Sequence, residues 1–459
     1  MQLRPYQTSL IEELRDGFRR GFTRQGLVSP TGSGKTVLFS YVVKNAAAKG
    51  LRVWVIAHRA EILDQISATL SVVGVQHGMV RAGEQVEPKQ AVQVASIQTL
   101  VRRFDQLPSP DFIVIDECHH STAGQWAKVF AQYPKAKFLG VTATPERLDG
   151  RGLGEFFQTL VRGPEVQWLI DYGFLAVPVY YAPKTAIDVS SLRKMAGEFS
   201  KQESAELMDK PSITGDAVAH YRKYALGCKA VAFCVNLKHA EHVAEQFRAA
   251  GIPSATIDGT LTRDERRQRV ADLTAGRVSV LTSCEIVSEG FDLPSVDAAI
   301  LLRPTASLAL HLQQVGRALR VSPGKQQAVI LDHVGNCLRH GLAEERREWS
   351  LEGGSAKKRK KDDLLDTRQC EKCYAVFTGT SCPQCGEERV SKARELEQRE
   401  GELEALDAEK VAASRMRLRE EGKAQTLADL MALAKQRGYR AGWAIHRFNA
   451  RKQRHSAAA

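Results

Sequence analysis

Eight consecutive residues, Ser29-Pro30-Thr31-Gly32-Ser33-Gly34-Lys35-Thr36, lead from the apolar pair Leu27-Val28 into an apolar, helix-like stretch at 37–48. A glycine-rich turn between strand and helix points backbone N–H groups and the positive end of a helix dipole at a phosphate. Thr31, Gly32, Ser33 and Gly34 then line that phosphate. Lys35 reaches the β- and γ-phosphates of a nucleotide, and the Thr36 hydroxyl ligates Mg²⁺. The strict form of such a loop begins with Gly, where this chain has Ser29. About eighty residues later the run Phe112-Ile113-Val114-Ile115 ends in Asp116-Glu117-Cys118-His119. An acidic pair at the end of a buried strand supplies the other half of a nucleotide-hydrolysing site. Asp116 is placed to hold Mg²⁺ through water, and Glu117 to orient or deprotonate the attacking water. Cys118 reads as a packing residue, His119 as a coupling residue and His120 as its solvated neighbour.

Two further constellations stand apart. Arg317 and Arg320 are three residues apart and share a helix face, with Gln313 one turn earlier. A guanidinium pair aimed across a cleft stabilises charge on a transferring γ-phosphate, worth roughly 10³–10⁵ in rate. Cys370-Glu371-Lys372-Cys373, eight residues, then Cys382-Pro383-Gln384-Cys385 present four thiolates in two knuckles, the donor set of one tetrahedral Zn²⁺. The short spacer suits a small zinc-ribbon-like hairpin. Two exposed dithiols are the alternative. The other five cysteines are scattered through apolar segments, which argues against a disulfide framework and for a reducing, cytoplasmic setting.

These residues need rigid elements behind them. Apolar runs at 53–57, 92–95, 112–115 and 138–141, and again at 231–235, 255–257, 278–282, 298–302 and 328–332, are separated by helix-like stretches. Runs this apolar suit parallel sheets covered on both faces. The expected fold class is α/β: two domains of similar size, at 1–175 and 216–350. Pro178, Pro183 and Pro211 punctuate a connecting segment at 176–215. A Gly-Gly-Ser and Lys-rich linker at 351–366, the Cys module at 367–390 and a charged helical tail at 391–459 complete the organisation.

With these motifs in order, residues 3–335 resemble a superfamily 2 helicase motor of two tandem RecA-like domains. Arg4-Pro5-Tyr6-Gln7 is similar to the segment in which a Gln reads adenine, which implies that role for Gln7. Ala57-His58-Arg59-Ala60-Glu61 resembles motif Ia and Ser96-Ile97-Gln98-Thr99 motif Ib. Thr142-Ala143-Thr144-Pro145 resembles motif III, which links hydrolysis to strand movement. Phe233-Cys234-Val235-Asn236 resembles motif IV, Glu289-Gly290-Phe291-Asp292 motif V, and the run from Gln313 to Arg320 motif VI. The resemblance implies a ribose contact at Asp292 beside Gly290, and phosphate-backbone contacts at Arg59, Ser96, Thr99, Asn236 and Ser288. It implies coupling roles for His119, Thr142, Thr144 and Gln313. The DECH box, the His-Arg-Ala-Glu form of motif Ia and a Cys module after motif VI look most like the RadD-type branch, with relatives among phage-borne helicases. The Cys module is shorter and simpler than in that branch.

The charge balance agrees with a nucleic-acid partner. Lys plus Arg total 65 against 53 Asp plus Glu, a net +12. Residues 410–459 hold twelve of the bases and only three of the acids. Tyr439, Trp443, His446 and Phe448 interleave with Arg440, Arg447, Arg451 and Lys452 there. That pattern suits either a stacking and phosphate-binding surface or a small amphipathic helix whose aromatics are packed. Residues 396–406 read as a solvated helix or a short coiled coil. No apolar run approaches the ~18 residues that span a bilayer, and no secretory signal is expected. The expected activity is ATP- and Mg²⁺-dependent translocation or unwinding of nucleic acid, with DNA the expected track. A single-strand-binding or replication/repair protein is a further expected partner. The other readings are a duplex translocase or annealing motor without strand separation, and a nucleic-acid-binding adaptor that hydrolyses nothing.

Overall fold

The computed structural model describes residues 2–120, 124–146, 152–182, 189, 192–195, 198–208, 211–284, 296–325 and 327–352, and short stretches between 368 and 448. The first sheet is built from β1 (Arg24–Val28), β2 (Val53–Ala57), β3 (Gly78–Val80), β4 (Val92–Ser96), β5 (Phe112–Asp116), β6 (Lys137–Thr142) and β7 (Thr159–Arg162). Its order is β3-β4-β2-β5-β6-β1-β7, and every pairing is parallel. The apolar runs become strands because both sheet faces are covered. Every residue of β2 and β5 is buried, Asp116 at the end of β5 included. The covering helices are α1 (Pro5–Arg19), α2 (Lys35–Ala47), α3 (Ala60–Val72), α4 (Ile97–Leu100), α5 (Gly124–Gln132) and α6 (Val166–Asp171). Pro5 opens α1, where its missing N–H costs nothing, and the Gln7 side chain accepts the Arg4 N–H at 2.9 Å.

The second sheet draws on part of the segment expected as a connector. There β8 (Val177–Ala182) is followed by β9 (Lys194–Met195), β10 (Glu198–Phe199), α7 (Lys201–Met208) and α8 (Pro211–Tyr224). Then come β11 (Ala230–Phe233), α9 (Leu237–Ala249), β12 (Ser254–Ile257), α10 (Arg263–Thr274), β13 (Val280–Ser283), β14 (Ala298–Leu301), α11 (Leu308–Ala318), β15 (Gln327–Asp332) and α12 (Asn336–His340). The parallel order runs β12-β13-β11-β14-β15-β8. Pro178 hid β8 from the sequence reading, yet the strand pairs with β15 along Gln327 to Leu331.

Beyond residue 352 the described pieces are small. β16 (Arg368–Gln369) pairs antiparallel with β17 (Val376–Phe377), and β18 (Glu404–Ala405) pairs antiparallel with β8. Glu404 and Ala405 were expected in a helix; they occupy the open edge of the second sheet instead. α13 (Leu427–Gln436) is capped by a Thr426–Asp429 box and buries Leu430, Leu433 and Ala434 against Trp443 and Ala444. Phe448 packs on the same cluster. The tail aromatics therefore divide. Trp443, 4% exposed, is the core of a small helical unit, and Tyr439, 42% exposed, remains at the surface. No helix among the described residues is long and apolar enough to cross a membrane.

Candidate active site at the cleft between the sheets

The loop between β1 and α2 is braced from both sides. The Ser29 N–H donates to the Thr142 carbonyl at the end of β6 (3.0 Å). The Ser29 hydroxyl, at the position a strict loop gives to Gly, donates to the Ser33 hydroxyl across the loop (2.7 Å). From α1, the Tyr6 hydroxyl donates to the Ser33 carbonyl (2.6 Å), and the Gln7 amide to the Ser33 and Gly34 carbonyls (3.0 and 3.2 Å). Gly34 caps α2 at φ +77°, a left-handed conformation that glycine adopts without strain. Lys35 opens α2, and its ammonium donates back to the Pro30 carbonyl at 3.3 Å, inside the loop. Thr36 follows in the first turn.

Beside this loop, β5 delivers the acidic pair. Asp116 Oδ1 accepts the Glu117 N–H at 3.0 Å. Glu117 has φ +49°, alone among the described non-glycine residues in the left-handed region. Strain of that kind is stored where a side chain must be aimed. Glu117 Oε2 lies 3.3 Å from His119 Nδ1, which is 2.9 Å from the Thr142 hydroxyl. That hydroxyl donates to the Thr144 carbonyl (2.8 Å) and accepts the Thr144 N–H (3.1 Å). A polar chain thus runs from Glu117 through His119 to Thr142 and Thr144, all largely buried. Cys118 is buried and its thiol is pushed well up by burial, as suits a packing residue.

The electrostatics follow from crowding. Burial first, then the neighbouring Glu117 charge, push the Asp116 carboxyl up to about 7. Burial holds the Lys35 ammonium below its ordinary range; Glu117 and Asp116 oppose this, and Arg320 and Arg317 reinforce it. Two close carboxylates in a dry site are hard oxygen donors, the set that suits Mg²⁺. The acidic donors present fit that ion.

The arginines arrive from the second sheet. α11 lies so close to the loop that a Cβ on Gly316 would meet the Thr31 Cβ at 2.6 Å. Leu175 bridges to Arg320, and the Ala176 N–H donates to the Leu319 carbonyl (2.8 Å). Arg317 is 5% exposed, and Gln313 is buried one turn before it. The structure therefore gathers Gln7, Thr31, Gly32, Ser33, Gly34, Lys35, Thr36, Asp116, Glu117, His119, Thr142, Thr144, Arg317 and Arg320 around one cleft, with Gln313 on the same helix. Such an arrangement can bind a nucleoside triphosphate and stabilise charge on its terminal phosphate from both sides.

The expected track contacts are spread more widely. Arg59 is the N-cap residue of α3, two residues past β2, and Ser96 ends β4 next to it, Ala57 pairing with Ser96; Thr99 follows on α4. The Ser96 hydroxyl donates to Gln98 (2.6 Å). Asn236 caps α9, its Oδ1 accepting the His239 N–H at 2.8 Å. Ser288, Gly290 and Asp292, and Cys370, Cys373, Cys382 and Cys385, lie outside the described residues. Among the described residues there is no metal-binding cluster of His, Cys, Asp and Glu. Sequence reasoning missed Tyr6 and Gly316 as site residues. Their signals were adjacency to Gln7 and to Arg317.

Residues 1–147 match the family described as the type III restriction enzyme res subunit, and residues 214–322 match the helicase conserved C-terminal domain. A 51.5 kDa protein of a Lactococcus phage is 35% identical over 388 residues, covering 83% of this chain and 82% of that one. The candidate ATP-dependent helicase IRC3 of Saccharomyces cerevisiae is 28% identical over 355 residues, covering 72% of this chain. Its Schizosaccharomyces pombe counterpart is 27% identical over 361 residues, covering 74%. The chain spans only 51% and 59% of those two fungal proteins. In structure it is similar to a fragment of a candidate HsdR subunit of a type I restriction enzyme from Vibrio vulnificus. There the TM-score is 0.58 and the identity 22%, over 74% of this chain and 67% of that one. Taken with two parallel sheets that face each other across a phosphate-binding loop, these matches make the chain a superfamily 2 helicase, an ATP-hydrolysing motor of tandem RecA-like domains.

Proposed function

We propose that this chain uses ATP hydrolysis in the cleft to move along, or open, DNA. The observation that carries the reading is the approach of Arg317, on the second sheet's α11, and of Arg320 just after it, to Lys35 and the loop at Thr31 and Gly32 on the first. In this reading Lys35 and the loop amides hold the β- and γ-phosphates, and Gln7 contacts adenine. Thr36 and Asp116 hold Mg²⁺, which neutralises phosphate charge when bound. Glu117 orients and deprotonates the attacking water. Arg317 and Arg320 neutralise the charge that develops on the transferring phosphate. Gly290 and Asp292 contact the ribose. His119, Thr142, Thr144 and Gln313 relay the nucleotide state to the faces that grip the track.

Arg59, Ser96, Thr99, Asn236 and Ser288 are assigned to phosphates of the nucleic acid. The place of Arg59, Ser96 and Thr99 in the segments that follow or end the paired strands β2 and β4 supports the first three. The capping bond of Asn236 uses its carbonyl oxygen, and its amide N–H groups are the donors assigned to phosphate. Cys370, Cys373, Cys382 and Cys385 are assigned to one Zn²⁺. The antiparallel pairing of 368–369 with 376–377, which flanks the first knuckle, is the arrangement a zinc hairpin needs. Beyond it, residues 410–459 carry twelve Lys and Arg against three acids, a charge suited to holding DNA.

The test is ATP turnover with single-stranded DNA, duplex, forked duplex and RNA. DNA should stimulate turnover more than RNA, and Lys35→Ala or Glu117→Gln should remove the stimulated turnover by at least about 10²-fold. Wild-type turnover in either variant would refute the site. Forked-duplex unwinding against triplex displacement then separates strand opening from duplex translocation.

A further inference from the structure

A second set of contacts crosses the cleft, away from the nucleotide site. α10 buries Leu273, with Val270 half-buried beside it against the core, and leaves the rest of its surface polar and open to a neighbouring domain. Its N-terminal half carries Arg263 and Arg266, at the helix end where a positive charge opposes the helix dipole. Both meet acids of α3 on the first sheet. Arg263 lies 2.7 Å from Asp64 Oδ2, and Arg266 lies 3.1 Å from Glu61 Oε1. The other Asp64 oxygen accepts from Arg81 of its own domain at 2.7 Å. Both pairs use i, i+3 spacing on both helices, so a shift of either helix by one residue would break both contacts together. Arg266 and Glu61 are largely shielded, at 18% and 24% side-chain exposure, which reduces screening by salt.

We propose that Glu61 and Asp64, with Arg266 and Arg263, are positioning residues for ATP hydrolysis. They fix the register in which the second domain closes, and thereby bring Arg317 and Arg320 to the loop that holds Lys35. Arg81 holds the Asp64 carboxylate in place for its partner across the cleft. The inference rests on the assignment of Arg317 and Arg320 to the transferring phosphate. It adds that their arrival depends on a second, remote point of contact.

A charge-swap cycle on Glu61 and Arg266 in the full chain tests it. Nucleic-acid-stimulated kcat and the KM for ATP are measured at saturating DNA, and nucleic-acid affinity and melting temperature are measured beside them. Glu61→Arg and Arg266→Glu should each lower kcat about tenfold while the KM for ATP stays within about twofold. The double variant should recover to within about threefold of wild type, since directly coupled charges are strongly non-additive. Singles that turn over as fast as wild type overturn the proposal. So does a double variant as slow as the worse single. Weakened DNA binding with kcat unchanged at saturation also overturns it, and makes Arg266 a track contact. Where a reversal lowers the melting temperature enough to unfold the chain, the neutral cycle of Glu61→Gln and Arg266→Gln replaces it. Additive losses in that cycle overturn the proposal in the same way. Lys35→Ala is the separating control. Retained turnover there sinks the assignment of the nucleotide site, whereas a lost turnover beside an uncoupled Glu61–Arg266 cycle sinks only the positioning role.

Discussion

Asp116→Asn should make the protein more stable and inactive, and the gain should depend on pH. Asp116 is 7% exposed, and burial together with the Glu117 charge raises its carboxyl from 3.8 to about 7. The folded chain therefore holds a proton there that the unfolded chain has released. Well below pH 4 both states are protonated and the residue costs nothing. As pH rises from about 4 to 7 the unfolded state is progressively favoured, and above about 7 the penalty is constant. A shift of about three units corresponds to a ceiling of about 4 kcal/mol at 1.36 kcal/mol per unit. Asn keeps the acceptor for the Glu117 N–H, so the local bond at 3.0 Å survives. The gain falls below the ceiling because Lys35 loses a nearby negative charge, one of the two that oppose its desolvation. The assay is thermal unfolding of both proteins from pH 4.5 to 8.5 without nucleotide or divalent cation. Asp116→Asn should melt several degrees higher at pH 8, at roughly 2–4 °C per kcal/mol, and the difference should shrink toward pH 4.5. An Asn variant that melts at or below wild type at pH 8 would refute the reasoning. A gain independent of pH would do the same, because its cause could not be the carboxylate charge.

Arg320→Ala should lower stimulated turnover about 10³-fold while leaving nucleotide binding close to wild type, as measured by equilibrium titration with a fluorescent ATP analogue. Trp443→Ala should remove about 3–5 kcal/mol from the helical unit around α13. Limited proteolysis should then cut the tail much faster, and the melting transition of the two sheets should not move. The purified chain should release one Zn²⁺ on thiol modification, detected with a colorimetric chelator, and Cys382→Ser should release none.

How far the sequence was legible depended on whether function was local in the chain. Strands β2, β4, β5 and β6 could be placed because parallel strands buried on both faces leave uninterrupted apolar runs. β8 could not, because Pro178 reads as a break and the partner strand β15 lies some 150 residues away. The phosphate loop and the acidic pair were legible for the same local reason: backbone amides, a lysine and two carboxylates must sit at fixed spacing to meet one phosphate. The tail was legible only to a choice between two readings. An aromatic that stacks on bases and an aromatic that fills a core leave the same pattern of Trp and Phe among basic residues. Only burial separates them, and Trp443 proved to be core. The ion pairs between α3 and α10 were illegible altogether. Nothing local marks Glu61 and Asp64 as partners of Arg266 and Arg263, about two hundred residues later. On its own helix Arg263 even looks misplaced, being basic at an N-terminus. That misfit is the one trace the contact leaves in the sequence. A residue that is wrong for its own element is being stabilised from another, and at a cleft that closes around a nucleotide such residues are the ones that set the closure.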